Sequence, residues 1–221
     1  MGRDPSTLAF FTFEKNQGRR ENPFACLHMP RTKAFNEQEA LERAMELFWR
    51  QGYHATSVQD LVSALGINRS SLYDTFGDKQ QLFERAFAHY RKQNTEGMRA
   101  FLNSHHKVRQ GLRALFTQAI DATVRDKERK GCFVVNVTTE LVPGDEAIHR
   151  ILAENRRTFE DLFFTYLKAG EERGEIPAGK DLRAIATLLF TLYNGLKVVG
   201  KIAPDRRQLQ ASVEAALGLL D

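Results

Sequence analysis

Residues 52–76 read Gly52-Tyr53-His54-Ala55-Thr56-Ser57-Val58-Gln59-Asp60-Leu61-Val62-Ser63-Ala64-Leu65-Gly66-Ile67-Asn68-Arg69-Ser70-Ser71-Leu72-Tyr73-Asp74-Thr75-Phe76. After Thr56 the apolar residues Val58, Leu61, Val62 and Leu65 recur at helical spacing, so they line one face of a short helix. Gly66 permits the backbone to reverse, and Ile67 plugs the angle between that helix and the next. Asn68 caps the second helix, whose outer face carries Arg69, Ser70, Ser71, Tyr73 and Asp74 while Leu72 and Phe76 turn inward. A helix of this kind can present its N-terminal side chains to a DNA major groove while its predecessor crosses the backbone. Periodicity alone also fits a plain helical hairpin with a polar outer face.

Outward from this segment the chain remains helical. Asn36 followed by Glu39 forms a capping-box-like start, Ala40, Ala44, Leu47 and Phe48 supply an apolar stripe, and Gly52 ends that helix. Gly77-Asp78 opens a fourth helix expected to reach about residue 93, with Asp78 and Gln81 again cap-like. Further helices are predicted over 110–127, 133–141 (closed by Pro143-Gly144), 148–174, 181–202 and 205–220. There is no sustained alternating strand pattern, internal repeat or glycine-rich phosphate loop, so the expected fold is all-α. Three parts are expected: an arm at 1–33, a helix-turn-helix domain at 34–93 and a helical ligand-binding and dimerisation bundle at 94–221. Met29 begins a run that reads as a natural start, so residues 1–28 read either as an extended start or as a basic arm making extra phosphate contacts.

Composition narrows the function less than the motif does. Of 221 residues 42% are apolar and 27% charged, as in a soluble globular protein, and no run of about 18 uncharged apolar residues predicts a membrane span. The net charge of +4 suits a nucleic-acid partner, but between Met29 and Lys79 six Lys and Arg face seven Asp and Glu. The basic excess lies in the arm, at Arg3, Lys15, Arg19 and Arg20, and in scattered C-terminal positions. Cys26 and Cys132 make no disulfide framework, and the six histidines show no metal-ligand spacing. No metal, cofactor or catalytic constellation is expected, and the protein reads as a cytoplasmic non-enzyme.

The stretch from about Phe35 to Tyr90 resembles the N-terminal domain of the TetR family of repressors. The resemblance rests on Gly52-Tyr53, Thr56-Ser57, Gly66-Ile67, Ser71-Leu72-Tyr73, Phe76 and Lys79 with Leu82-Phe83, in order and at the family's spacing. It implies double-stranded operator DNA as partner, with Thr56, Ser57, Tyr73 and Lys79 on phosphates and Arg69, Ser70 and Ser71 reading bases beside the cap Asn68. Asp74 departs from the family, where histidine is frequent; it would repel a phosphate, or accept from a cytosine amino group, or cap a neighbour. The resemblance also implies a homodimer through the last two helices. Leu182, Ile185, Leu188, Leu189, Leu192, Leu196 and Val199 cover more than one face, as suits a helix with core on one side and a partner on the other, and Leu209, Val213, Ala216, Leu217 and Leu220 supply the matching stripe, with Ala186 and Gly195 allowing close approach; the same residues also fit the core of a monomeric bundle.

It implies, finally, a small-molecule or electrophile inducer. Phe116, Phe133, Val137, Phe163, Tyr166 and Tyr193 are candidate pocket residues, though such a stripe equally reads as core. Asn136 is polar in an apolar helix. Cys132 follows Gly131 at a helix start, after Lys127, Arg129 and Lys130, an environment that favours thiolate, and Gly131-Cys132-Phe133 resembles the Gly-Cys segment of the electrophile-responsive branch. The bland reading of Cys132 is a small core residue. Against the regulator stand an α-helical carrier or enzyme, for which no motif speaks, and a non-specific DNA binder, which only sequence preference in added salt distinguishes.

Overall fold

The computed structural model describes residues 35–142 and 144–221. The readings made of the N-terminal arm, of Cys26 and of Pro143 lie outside the described residues. Among those described the secondary structure is helical: α1 (Glu37–Gln51), α2 (Val58–Leu65), α3 (Arg69–Phe76), α4 (Lys79–Asn103), α5 (Val108–Arg125), α6 (Phe133–Leu141), α7 (Glu146–Glu172), α8 (Leu182–Ile202), α9 (Arg206–Leu217) and a closing 3-10 turn, Gly218–Leu220.

Local chemistry sets most of these boundaries. The Asn36 side chain accepts from the backbone N–H of Gln38 and Glu39, and Asn68 does the same for Ser71. Ser57 with Asp60 and Asp78 with Gln81 form complete capping boxes at α2 and α4. Gly66 takes the left-handed conformation, φ 68°, that the reversal between α2 and α3 requires.

Helix α4 runs ten residues past its expected end. Residues 93–97 are polar and include Gly97, so the local signal fades there. The helix continues because Met98 and Leu102 bury themselves against α5 and its neighbours.

Two hydrophobic cores result. One joins α1–α4 to α6 and the first turns of α7, through Phe48, Leu61, Leu72, Phe83, Phe133 and Leu141. The other joins the far half of α4 to α5, α7, α8 and α9, through Leu112, Phe116, Phe163, Leu167 and Leu217. Helix α6 thus belongs to the packing of the helix-turn-helix, although 56 residues lie between Phe76 and Phe133 in the chain.

The apolar stripe expected to meet a partner on α9 is inward instead. Leu209, Val213, Leu217 and Leu220 are buried in the protomer's own second core, as are Leu182, Ala186, Leu189 and Leu196 of α8. What α8 leaves exposed is a separate stripe, Leu188, Val198, Val199 and Ile202, with Gly195 open between them. By length and composition α8 is apolar enough to cross a membrane. Its inner face packs on α5, α7 and α9, as expected of a core helix with a second apolar face.

Candidate nucleic-acid interface

Helices α2 and α3 stand on the first core by Leu61, Leu65, Leu72 and Phe76, all buried, which leaves the N-terminal half of α3 outward. Asn68, Arg69, Ser70 and Tyr73 are exposed and Ser71 is half-buried. The Asn68 side-chain oxygen Oδ1 accepts from the Ser71 N–H at 2.7 Å, which leaves the side-chain amide N–H groups as its remaining donors. Arg69 is unpaired by any acid among the described residues, which leaves its planar fork free for a bidentate acceptor.

Asp74 accepts from the Ser70 hydroxyl at 3.2 Å. Of the roles open to it, the structure shows the one within the helix: it holds a neighbouring side chain. That bond also occupies the one hydroxyl proton Ser70 has, leaving Ser70 an acceptor toward anything docked on α3.

Thr56 requires correction. It was expected at a phosphate, but its side chain is fully buried and its hydroxyl donates to the Gly52 carbonyl at 2.6 Å. It closes the turn between α1 and α2 and cannot reach outward. Ser57, next to it, is exposed, and its hydroxyl and backbone N–H both donate to the Asp60 carboxylate, which those bonds hold below its usual pKa. Lys79 opens α4 with its ammonium 4.4 Å from the Tyr53 ring centroid, a cation–π seat next to the α4 N-terminus.

Two residues that fix this face gave no sign in the sequence. Arg85 on α4 donates to the Thr75 carbonyl at 3.0 Å, stacks its guanidinium 4.9 Å from the Phe76 centroid and pairs with Glu37, so it braces the C-terminal end of α3. Glu140, at the end of α6, accepts from the backbone N–H of Tyr53 at 3.0 Å and of His54 at 2.7 Å. It grips the turn entering α2 from a position more than 85 residues away in the chain.

The expected sensor residues are scattered. Phe116 and Phe163 are fully buried in the second core and Phe133 in the first, where Trp49, Phe83, Phe87 and Tyr90 surround it at 5.4–6.3 Å. Phe116, Phe133 and Phe163 are therefore core and not cavity wall. Of the six, Tyr193 alone lines a cavity, of about 630 Å³, between α1, α4, α5 and α8. Asn136 donates to the Lys130 carbonyl at 2.9 Å and accepts from Lys201 at 3.3 Å, tying the start of α6 to α8.

Cys132 stands at the N-cap position of α6, without a side-chain capping bond, and is buried. The cation that reaches its sulfur is Lys197 of α8, at 4.0 Å, and not the preceding basic run: Lys130 is drawn away to Glu46 at 2.6 Å. The Tyr90 hydroxyl lies 3.9 Å from the same sulfur, and burial, followed by the nearness of Cys132, raises its pKa well above that of a free tyrosine.

Comparison with known proteins agrees with this geometry at both ends of the chain. Residues 40–86 match the family described as bacterial regulatory proteins, tetR family, and residues 109–216 match the tetracyclin repressor-like C-terminal domain. The chain is 34% identical over 195 residues to YezE of Bacillus subtilis, an uncharacterized HTH-type transcriptional regulator, covering 87% of this chain and all of that one. It is 32% identical to the transcriptional repressor ComR of Escherichia coli, over 86% of this chain and 90% of ComR. Among solved structures, a cysteine mutant of the TetR family regulator CifR in complex with 26bp double-strand operator DNA superposes with a TM-score of 0.77 at 33% identity, over 86% of this chain and all of that one. The chain belongs to the TetR family of helix-turn-helix, DNA-binding transcriptional regulators.

Proposed function

We propose that the protein is a homodimeric repressor that seats one α3 per protomer in the major groove of an operator and is released by a small ligand or by modification of Cys132. The observation that carries the DNA half is the outward N-terminal half of α3, capped by Asn68 and held on a packed core, in a chain whose relative CifR is complexed with operator DNA. Arg69 reads a base, with guanine as its bidentate match. Tyr73 and Lys79 bear on phosphates, Lys79 aided by the α4 N-terminus, whereas the Ser57 donors are already given to Asp60. The exposed apolar stripe of α8 meets its copy across a two-fold axis, which supplies the second head that a palindromic site needs. Such a regulator works in the cytoplasm, and its relatives are regulators, not enzymes.

The release half rests on α6. Its first turn holds Cys132 beside α8, and its last turn holds Glu140 on the turn into α2, about 12 Å farther along at 1.5 Å per residue. Cys132 is buried, so a group added to its sulfur displaces the side chains packed around the start of α6, and a shift of α6 carries the Glu140 grip with it.

The test is a footprint around the protein's own gene in rising salt, repeated with N-ethylmaleimide, where the Cys132 sulfur adds across the maleimide double bond and the adjacent carbon takes up a proton. A protected, sequence-specific site that survives added salt is expected, lost on alkylation. Cys132→Ser is expected to bind alike and stay bound. Binding without sequence preference would defeat the repressor, and release of Cys132→Ser at wild-type doses would defeat the cysteine route.

A further inference from the structure

The cavity of about 630 Å³ lies within the size range of small-molecule sites and has an uneven chemistry. Trp49 of α1 and Tyr90 of α4 meet edge to face at 5.1 Å on one wall, and Tyr193 of α8 stands on another. The lining cations differ in what they already hold. Lys130 is neutralised by Glu46 at 2.6 Å and Glu128 at 3.9 Å, and Arg125 by Asp121 at 3.6 Å. The one lining carboxylate, Asp126, accepts from the Gly131 N–H at 3.0 Å.

Lys197 is the exception. Its ammonium sits 3.9 Å from the Tyr193 centroid and 4.0 Å from the Cys132 sulfur, half-buried, and forms no ion pair with a carboxylate among the described residues. Because the Tyr90 hydroxyl reaches the same sulfur at 3.9 Å, the uncompensated cation and the aromatic wall adjoin. Trp49 lines that wall by its ring, while its indole N–H is buried with no acceptor among the described residues. A half-buried cation whose neighbours are an aromatic ring and a sulfur, with no carboxylate partner, favours an anion beside it.

We propose that this cavity selects a planar aromatic anion, a carboxylate or phenolate whose charge sits on Lys197 and whose ring lies against Trp49, Tyr90 and Tyr193. The proposal rests on the reading of the protein as a ligand-released regulator. A ligand seated there touches α1, α4 and α8 together and so sits where the DNA-binding half meets the rest of the protomer.

Calorimetry on the full chain with 2-naphthoate and 2-naphthamide, alike in shape and different in charge, tests the assignment without DNA. Naphthoate is expected to bind about tenfold tighter than the amide, with a change in the fluorescence of Trp49, the sole tryptophan. Lys197→Met is expected to abolish the preference and Lys197→Arg to keep it. Gly97→Leu should weaken both ligands, since a Cβ at that lining glycine meets nothing within 4 Å and a side chain there grows into open space. Equal affinities, no binding of either, a silent Trp49, or a preference surviving in folded Lys197→Met would each overturn the proposal. Operator binding by the ligand-free protein is scored separately, so a failed cavity and a failed regulator give different results.

Discussion

Replacing Glu140 by alanine removes two charge-assisted hydrogen bonds from the turn between α1 and α2. Such bonds contribute about 1.5–3 kcal/mol each where water is excluded. The His54 N–H is exposed, so water replaces its acceptor almost without loss, whereas the Tyr53 N–H is half-buried and loses most of its bond. The expected cost is therefore ~2 kcal/mol, which for a chain of this size lowers Tm by roughly 4–8 °C. Because the bond orients the helix-turn-helix, operator affinity should fall too, by at most about thirtyfold, the equivalent of that energy. Glu140→Gln keeps an acceptor oxygen without the charge and should lose about half as much. Scanning calorimetry and a fluorescence-anisotropy titration on the footprinted operator read the two effects. If Glu140→Ala melts within a degree of wild type and binds operator unchanged, the grip of α6 on the turn has no energetic content and the release route through it is wrong.

Arg69→Ala is expected to relax base preference by roughly 1–3 kcal/mol, whereas Tyr73→Ala and Lys79→Ala weaken all sequences alike, which a selection on randomised operators distinguishes. Gly200→Ala would place its methyl 2.0 Å from Cγ2 of Thr123, so it should lower Tm, and adding Thr123→Ser, which removes that methyl, should restore it in a double-mutant cycle. Glu175 is held below its ordinary pKa of 4.5 by Arg173 and then by the Val108 N–H, and Glu214 by Arg113. Depressed folded-state values mean that their contribution is fully present above about pH 4.5 and is lost as pH falls through them. Urea melts should thus show stability dropping below about pH 4.5, and Glu214→Gln should flatten part of that drop.

How far the sequence discloses this protein follows the range of the interactions concerned. The caps Asn36, Asn68 and Asp78 act on groups two or three positions away and are readable from their own windows, whereas Ser57, which caps α2 over the same range, reads in sequence as a phosphate contact. The course of α4 beyond residue 93 is not readable locally, because Met98 and Leu102 keep the helix going through a partner surface that the window does not contain. Thr56 shows a different limit: the residue type allows either an outward phosphate contact or an inward bond to Gly52, and only the packed turn decides. The aromatic spacing at Phe116, Phe133 and Phe163 marks an inward face, but inward means core at all three and cavity wall only at Tyr193. Glu140 and Lys197 are ordinary charged residues on helices, and their importance lies wholly in neighbours far along the chain.

The energies of α6 match what the proposed release through Cys132 requires. Its middle is fixed: Phe133 lies among four aromatic rings of the first core, and truncating such a residue costs about 3–5 kcal/mol, so α6 moves as a unit and does not melt. Its ends are held more lightly, by Asn136 bonds to Lys130 and Lys201 at the start and by Glu140 at the finish. Overpacking a buried site such as Cys132 costs roughly 1–3 kcal/mol, the same size as the ~2 kcal/mol assigned to the Glu140 grip. Crowding at one end can therefore break the other without unfolding the core between them. One head weakened by ~2 kcal/mol binds about thirtyfold less tightly, which a high cellular concentration could absorb. In a dimer both heads lose that energy on the same operator, and ~4 kcal/mol is close to a thousandfold, enough to convert a modest local strain into release.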